Sequence, residues 1–262
     1  MSSPLPAILT VIIYLIVVIK GPKWMEKRPP FELRYVLISY NFCLVLLSVY
    51  MCYEFFVTSV MQPGFSLLCA SVDYSNKPSA VRLAKVCWWY WFSKLIELAD
   101  TVFFILRKKN GQITFLHVYH HGSMVLLWWV GVKFIPGGEA YFSGMANSFI
   151  HIFMYTYYLL AAFGPHMQKY LWWKRYMTKM QLIQFFAILG HISTATFLNC
   201  GVPIAYQWTL VFYSISLIVL FSNFYYQTYR KKQAAAISKH LQPVVQGDGL
   251  QISGLVKESK QD

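Results

Sequence analysis

The sequence predicts an all-α membrane protein with seven transmembrane helices, on the basis of its composition and its uncharged stretches. Of the 262 residues, 57% are hydrophobic, 18% aromatic and only 13% charged, which is not the balance of a soluble globular domain. Residues 180–229 contain no Asp, Glu, Lys or Arg at all. Because a spanning helix needs about 20 apolar residues, and a helix in a soluble protein rarely continues so far without a polar face, we expect a helical bundle in lipid.

Seven segments fit as spans. The first, second, fourth and fifth are marked by stretches without a charged side chain, at residues 1–19, 35–53, 113–132 and 140–165. The third is less regular, because Lys94, Glu97 and Asp100 lie inside it. The long uncharged run is divided between the last two spans at 199–207, where glycine and proline break a helix. The predicted spans are 4–20, 34–57, 84–106, 113–133, 140–163, 178–199 and 206–229.

The distribution of lysine and arginine orients the bundle with its N-terminus in the lumen and its C-terminus in the cytosol. In this orientation the cytosolic segments contain 18 of these residues and the luminal segments four. Such an excess is typical of cytosolic loops. The net charge of +13 is therefore explained by topology, and we expect no nucleic-acid partner. The apolar run within residues 1–19 has no basic region before it, and this favours a first span over a signal peptide.

The segments outside the predicted spans carry two further expectations. Residues 231–262 are polar and poor in aromatic side chains, which predicts a disordered cytosolic tail after a membrane domain of residues 1–230. Cys69 and Cys200 both fall in predicted luminal loops, where an oxidising compartment allows a disulfide. Their positions alone are equally compatible with two separate thiols.

Three histidines begin the fourth span. His117, His120 and His121 have the spacing i, i+3, i+4, so a helix places them on one face. Ionisable side chains within a membrane are costly and usually face the bundle interior or a cavity. A single histidine here would be explained as a hydrogen-bonded residue at the membrane interface. Three histidines on one face favour a functional site.

A charged set lies on the third span. Lys94 and Glu97 are three residues apart, and Asp100 follows three residues later. Opposite charges of this kind can pair inside the bundle, and carboxylates near imidazoles can orient the rings. A pair that only stabilises the fold is a serious alternative.

Polar side chains also share faces of the fifth and sixth spans. Asn147, His151 and Tyr155 lie on one face of the fifth span and resemble one wall of a polar cavity. Gln184 and His191 are seven residues apart on the sixth span. For this second pair, hydrogen bonding between helices is a good alternative to a functional role.

A histidine cluster in a membrane suits two kinds of chemistry. Membrane di-iron enzymes use HxxHH boxes but need about eight histidine ligands, whereas this chain has seven histidines, of which His166 lies in a loop and His240 in the tail. The other chemistry needs no metal, because a neutral imidazole can attack a thioester while a second moves the proton. A seven-helix receptor or transporter is a further alternative, although it does not account for three histidines on one face.

Three segments resemble a known family. Residues 94–121 (KLIELADTVFFILRKKNGQITFLHVYHH), 147–165 (NSFIHIFMYTYYLLAAFGP) and 168–185 (QKYLWWKRYMTKMQLIQF) are similar, in order and spacing, to the fatty-acid elongases (ELO family) of the endoplasmic reticulum. The resemblance covers residues 4–232. Gln112 is typical of the elongases of very-long-chain and polyunsaturated acyl chains, so the chain most resembles that group.

This resemblance implies a fold and a reaction. Seven helices are expected, six of them surrounding an acyl tunnel that is closed towards the lumen, in the endoplasmic reticulum membrane. The reaction is that of a very-long-chain 3-oxoacyl-CoA synthase, which condenses acyl-CoA with malonyl-CoA to 3-oxoacyl-CoA, carbon dioxide and CoA. No metal and no cofactor is implied. Expected partners are membrane lipids and the two CoA substrates. Further candidates are the ketoacyl reductase, dehydratase and enoyl reductase of the elongation cycle, and a second copy in a homodimer.

The resemblance also assigns roles to residues. His120 and His151 would transfer the acyl group, and Cys69 and Cys200 match the family's luminal disulfide. His117 and His121 would complete the catalytic set as supports. The resemblance makes Glu97 and Asp100 orienters and Asn147 and Tyr155 polar lining, and the sequence adds Lys94, Gln184 and His191 as further supporting polar positions. The phosphates of CoA require cations at the cytosolic mouth, although every cation there is equally explained by topology. The candidate cations are Lys108, Lys109, Lys169, Lys174 and Arg175.

Overall fold

The computed structural model describes residues 1–231, and within this range the chain is helical with no β-strand, as the sequence predicts. Residues 1–222 form one compact unit, and a second begins at Asn223. The predicted disordered tail lies outside the described residues, apart from Lys231. The described α-helices are α1 (Leu5–Met25), α2 (Arg34–Thr58), α3 (Pro78–Glu97), α4 (Ala99–Leu106), α5 (Phe115–Phe134), α6 (Ala140–Ala162), α7 (Lys174–Phe197) and α8 (Ile204–Tyr225).

The third predicted span is two helices rather than one. α3 begins earlier than expected, with Pro78 in its first turn, where a proline costs no helical hydrogen bond. The break falls at Leu98, whose N–H donates to Leu95 O, and Thr101 N–H in turn donates to Leu98 O. Both bonds span three residues instead of four, so the backbone tightens between α3 and α4.

Within residues 1–231, four helices are long and apolar enough to cross a membrane: α1, α2, α7, and α8 with the residues that follow it to Arg230. These four helices overlap the first, second, sixth and seventh predicted spans. The third span corresponds to the α3–α4 pair, the fourth to α5 and the fifth to α6. The polar side chains of α3, α5 and α6 lower their hydropathy, and these are the helices that carry the candidate site. The count of seven spans stays a prediction.

α6 lies at the centre of the bundle and packs against α2, α3 and α7. Its contact with α2 is close because Gly144 has no side chain: a Cβ there would lie 2.5 Å from the ring of Phe55, which is fully buried. α3 also packs against α2 and α5, and α1 packs against α4 and α5. α8 joins α5 through two hydrogen bonds, one between Tyr119 and Ser216 and one between Ser123 and Tyr213.

A disulfide joins Cys69, in the loop between α2 and α3, to Cys200, in the loop between α7 and α8. In the predicted orientation both loops are luminal. The loop that follows α5 meets this region, because Ala70 N–H donates to Glu139 Oε1. Three of the chain's connections are therefore held together at one end of the bundle.

Candidate active site

The histidine face of α5 is set by the first turn of the helix. Thr114 has extended backbone and its hydroxyl oxygen accepts a hydrogen bond from His117 N–H at 3.3 Å, which is the geometry of an N-cap. The helix then brings the three predicted histidines together. The ring centroids of His117 and His121 are 4.3 Å apart, and those of His120 and His121 are 5.4 Å apart.

Lys94 and Glu97 form an ion pair within the bundle. The distance from Lys94 Nζ to Glu97 Oε1 is 2.8 Å, and both residues are buried, with 2% and 1% of their surface exposed. Lys94 also donates to Asn147 Oδ1 at 3.1 Å, and Tyr90 OH donates to the same oxygen. A buried pair is tolerated only when further hydrogen bonds satisfy its charges, and α6 supplies one of them through Asn147.

Glu97 also contacts His151 of α6. Its Oε1 lies 3.4 Å from His151 Nδ1 and accepts a hydrogen bond from Ser93 Oγ at 3.2 Å. Because a carboxylate faces Nδ1, we assign the proton of the neutral ring to that nitrogen, which leaves a lone pair on Nε2. Glu97 therefore fixes both the orientation and the tautomer of His151.

Asp100 contacts a tyrosine instead of the expected imidazole, and the neighbouring Thr101 contacts the first histidine of the cluster. Asp100 Oδ2 accepts a hydrogen bond from Tyr155 OH at 3.1 Å, so it positions a tyrosine of α6 rather than an imidazole. The hydroxyl of Thr101 lies 2.8 Å from His117 Nε2 and 3.1 Å from Tyr14 OH. Thr101 thus connects α1 and α5, and it holds the first histidine of the cluster.

Sequence reasoning missed Tyr90, Ser93 and Tyr14. Tyr90 and Ser93 lie seven and four residues before Glu97, so helical spacing places them on the same face and offers a signal. Tyr14 reaches Thr101 from a helix without any charged residue up to Lys20, and no local pattern identifies it.

A cavity inside the bundle begins beside the histidine cluster. His120 and Gln184 lie in its wall at one end, and Ile135, Glu139 and Val202 lie in its wall at the other. The space between its lining atoms is about 980 Å³, including the part that opens outwards. Mostly apolar walls with a few polar groups are typical of a site for a hydrophobic ligand. Other lining residues are Tyr90, Met124, Leu127, Trp128, Gly131, Ala140, Ser143, Asn147, Phe185, Ile188, Ile192, Ala195, Tyr206, Gln207, Leu210, Tyr213, Ser214 and Leu217.

His191 lies away from the histidine cluster, although it shares α7 with Gln184. Its Nε2 is 3.0 Å from Leu67 O and 3.3 Å from Glu139 Oε2, at the end of the cavity near the disulfide. Burial raises the pKa of Glu139 to about 7. The geometry gives His191 a part in closing that end of the bundle rather than in supporting the imidazoles of α5.

The predicted CoA-binding cations lie on the surface outside the cavity. Lys108, Lys109, Lys169 and Lys174 are exposed, and Arg175 is half-buried. Lys108 Nζ donates to Glu26 O at 2.9 Å, and Lys169 Nζ lies 4.9 Å from the centre of the Tyr170 ring. The structure thus leaves the four lysines where a charged group could approach them.

The di-iron alternative requires histidine and carboxylate ligands that converge. Among the described residues, three side chains of metal-binding type come together at Cys69, Glu139 and Cys200. The two sulfur atoms of this group are joined in the disulfide and have no thiolate to offer. Within the described part of the chain, the histidines of α5 form no such group.

Comparisons with known proteins place these observations in a family. The model of the ELO family, described as GNS1/SUR4, matches residues 1–237. The chain is 49% identical over 261 residues to very long chain fatty acid elongase 4 of Homo sapiens, an alignment that covers 100% of this chain and 81% of that protein. It is 48% identical over 237 residues to very long chain fatty acid elongase 7 of Rattus norvegicus, covering 89% of this chain and 84% of the relative.

Proposed function

This chain belongs to the ELO (GNS1/SUR4) family, and from that premise we propose that it elongates very-long-chain fatty acids as their condensing enzyme. Acyl-CoA and malonyl-CoA are the substrates, and 3-oxoacyl-CoA, carbon dioxide and CoA are the products. The observation that carries the proposal is the apolar cavity that begins at His120, next to the imidazoles and the Lys94–Glu97 pair. An acyl tail in this cavity has its thioester beside the histidines.

The first half of the reaction transfers the acyl group to the protein. His120 lies in the cavity wall, so we assign the attack on the thioester carbon to one of its ring nitrogens. The nitrogen–carbon bond forms as the carbon–sulfur bond breaks, and the proton that the acylated ring of His120 loses passes to the departing thiolate of CoA. His151, held by Glu97 through Nδ1, is placed for that proton transfer.

The second half makes the new carbon–carbon bond. Malonyl-CoA loses carbon dioxide, and the resulting enolate carbon attacks the acyl carbon. The nitrogen–carbon bond then breaks and the departing imidazole takes up a proton from the solvent, delivered through His151, which returns His120 to its neutral form and releases 3-oxoacyl-CoA. The carboxylate of Glu97 stabilises positive charge on His151 while that ring carries the proton.

The remaining expectations concern the surroundings of the site. We place the protein in the endoplasmic reticulum membrane with its N-terminus luminal, so the histidine end of the cavity faces the cytosol. The exposed cations near that end, Lys108, Lys109, Lys169 and Lys174, with Arg175, are candidates for contact with the CoA phosphates. The chemistry requires no metal and no redox cofactor. The other enzymes of the cycle and a second copy of the chain remain candidate partners.

The test is a single-turnover experiment on purified protein in detergent. With acyl-CoA alone, the wild type should release CoA and gain the mass of the acyl group. His120→Ala should do neither. The matched control is His166→Ala, because His166 is an exposed histidine outside the cavity and its loss should leave both readings intact.

Two results would contradict the proposal at different levels. CoA released only when malonyl-CoA is also present would rule out the covalent intermediate and make the histidines bases in a one-step reaction. No 3-oxoacyl product from any acyl-CoA in a panel of chain lengths would rule out condensation itself.

A further inference from the structure

A buried amide lies in the wall of the cavity without a hydrogen-bond partner. Gln207, in the first turn of α8, is 3% exposed and lines the cavity. Neither its Nε2 nor its Oε1 has a partner among the described residues. Buried amides are nearly always hydrogen-bonded, because an unmet donor and acceptor have lost water and gained nothing in return. The side chain therefore requires a polar group that enters the cavity.

The position of Gln207 along the cavity follows from the contacts between α5 and α8. Tyr119 of α5 bonds to Ser216, and Ser123 bonds to Tyr213, so the two helices run in opposite directions. Further along, a Cβ at Gly131 would lie 3.0 Å from Tyr206 OH. Gln207 is thus level with Gly131, which is eleven residues, or about 16 Å, beyond His120.

The chemistry at that end of the cavity favours a neutral polar group. Glu139 lies in the wall there, and its ionised carboxylate would repel a second carboxylate. A hydroxyl both donates and accepts, so it can satisfy the amide oxygen or the amide nitrogen of Gln207. No such group occurs on an unsubstituted acyl chain.

We propose that Gln207 binds a hydroxyl at the far end of the acyl chain, so that ω-hydroxyacyl-CoAs are substrates when their length brings the hydroxyl level with this amide. The proposal rests on the function proposed above, because it requires the acyl tail to occupy the cavity. It adds a substrate class and a residue that determines specificity. An unsubstituted chain of the same length leaves the oxygen and the nitrogen of the amide without a partner, whereas the hydroxyl of the hydroxylated chain gives one of them a hydrogen bond.

The experiment compares plain and ω-hydroxylated acyl-CoAs in pairs of equal length, over a range of lengths, with malonyl-CoA. For each pair the ratio of the two kcat/KM values is measured. In the wild type, the ratio of hydroxylated to plain should peak at one chain length. Gln207→Met, which keeps the volume but removes the amide, should lower that peak by roughly tenfold. Gln207→Asn keeps an amide and should retain a preference.

A control removes the same functional group from the other end of the cavity. Gln184→Met changes a cavity-lining glutamine near His120, so it should affect the plain and hydroxylated chains alike and leave their ratio unchanged. If Gln207→Met does not fold, the dependence of the wild-type ratio on length decides the question alone.

The outcomes separate this inference from the function on which it rests. The role of Gln207 is overturned if Gln207→Met lowers the ratio of hydroxylated to plain equally at every chain length, or if it leaves the peak in place, while plain chains are still elongated. If the wild type elongates neither member of any pair, the proposed function itself is wrong.

Discussion

Glu97 joins three functional groups of the candidate site at the scale of single residues. It accepts from Lys94 and Ser93 on its own helix, and it faces His151 on α6. Burying such a charge is costly, and the cost is offset only while every partner is present. The same carboxylate thus supports the fold and orients an imidazole, and these two roles can be separated by mutation.

Replacing Glu97 by glutamine should impair both roles. Glu97→Gln leaves the Lys94 ammonium buried without its counter-charge, which should lower the free energy of unfolding by about 3–5 kcal/mol. Condensation should fall about 100-fold or more. The double variant Lys94→Met/Glu97→Gln removes both charges and should regain much of the stability but not the activity. Thermal unfolding measures the stability of each variant, and incorporation of radiolabelled malonyl-CoA measures its activity. A double variant with normal activity would make the pair purely structural.

The carboxyl of Glu139 should make stability depend on pH. Its ordinary pKa is 4.5, and burial raises the pKa to about 7 in the folded protein. Between these values the folded state binds more protons than the unfolded chain, so stability falls as pH rises, and the loss is complete above pH 7. Glu139→Gln cannot ionise and should be more stable than the wild type by about 1–3 kcal/mol above pH 7, with the difference vanishing below the ordinary pKa.

Thermal unfolding across this pH range tests the effect of Glu139. His191 Nε2 lies 3.3 Å from Glu139 Oε2, so its own titration must be removed by repeating the comparison in a His191→Gln background. A constant difference between the wild type and the Glu139→Gln variant at all pH values would show that the carboxyl does not titrate in this range.

At the scale of elements, the sequence predicted helices well and the contacts between them poorly. Uncharged runs indicated α1, α2 and α5–α8, because lipid requires long apolar helices. The break at Leu98 was missed, since neither glycine nor proline marks it. The spacing of the histidines placed them on one face of α5. The contact of Glu97 with His151 could not be predicted, because it depends on how α3 and α6 are rotated and shifted against each other, which no local pattern encodes.

The cap of α5 gives a test at this scale. Thr114 satisfies the N–H of His117, so Thr114→Ala should lower the free energy of unfolding by about 0.5–2 kcal/mol. Because the first turn carries His117, kcat should fall as well. Thr114→Ser retains the hydroxyl and is the matched control, expected to behave like the wild type in both measurements. If the alanine and serine variants are equally stable, the capping hydrogen bond contributes nothing.

At the scale of the whole molecule, the disulfide lies near one end of the cavity and the histidine cluster near the other. Cys69 and Cys200 are separated by 131 residues, and their bond joins two loops at the end of the cavity farthest from His120. The chain-entropy model gives about 4–5 kcal/mol for so long a loop, with less expected when the unfolded chain stays in lipid. Under the proposed function, a cavity closed at this end has a fixed depth, and this depth decides how long an acyl tail can enter while its thioester reaches the histidines.

This fixed depth leads to a prediction about chain length. Val202 lies in the cavity wall, two residues after Cys200, and is 6% exposed. Val202→Phe extends a larger side chain into the closed end, so the longest acyl-CoA that is elongated should become shorter by a few carbons. Shorter substrates still fit, and their kcat/KM should change little. Val202→Ala is the matched control and should not shorten the range. Radiolabelled malonyl-CoA with acyl-CoAs of increasing length measures both variants, after thermal unfolding has shown that they fold. The same length limit in Val202→Phe as in the wild type would mean that the acyl tail does not reach this end of the cavity.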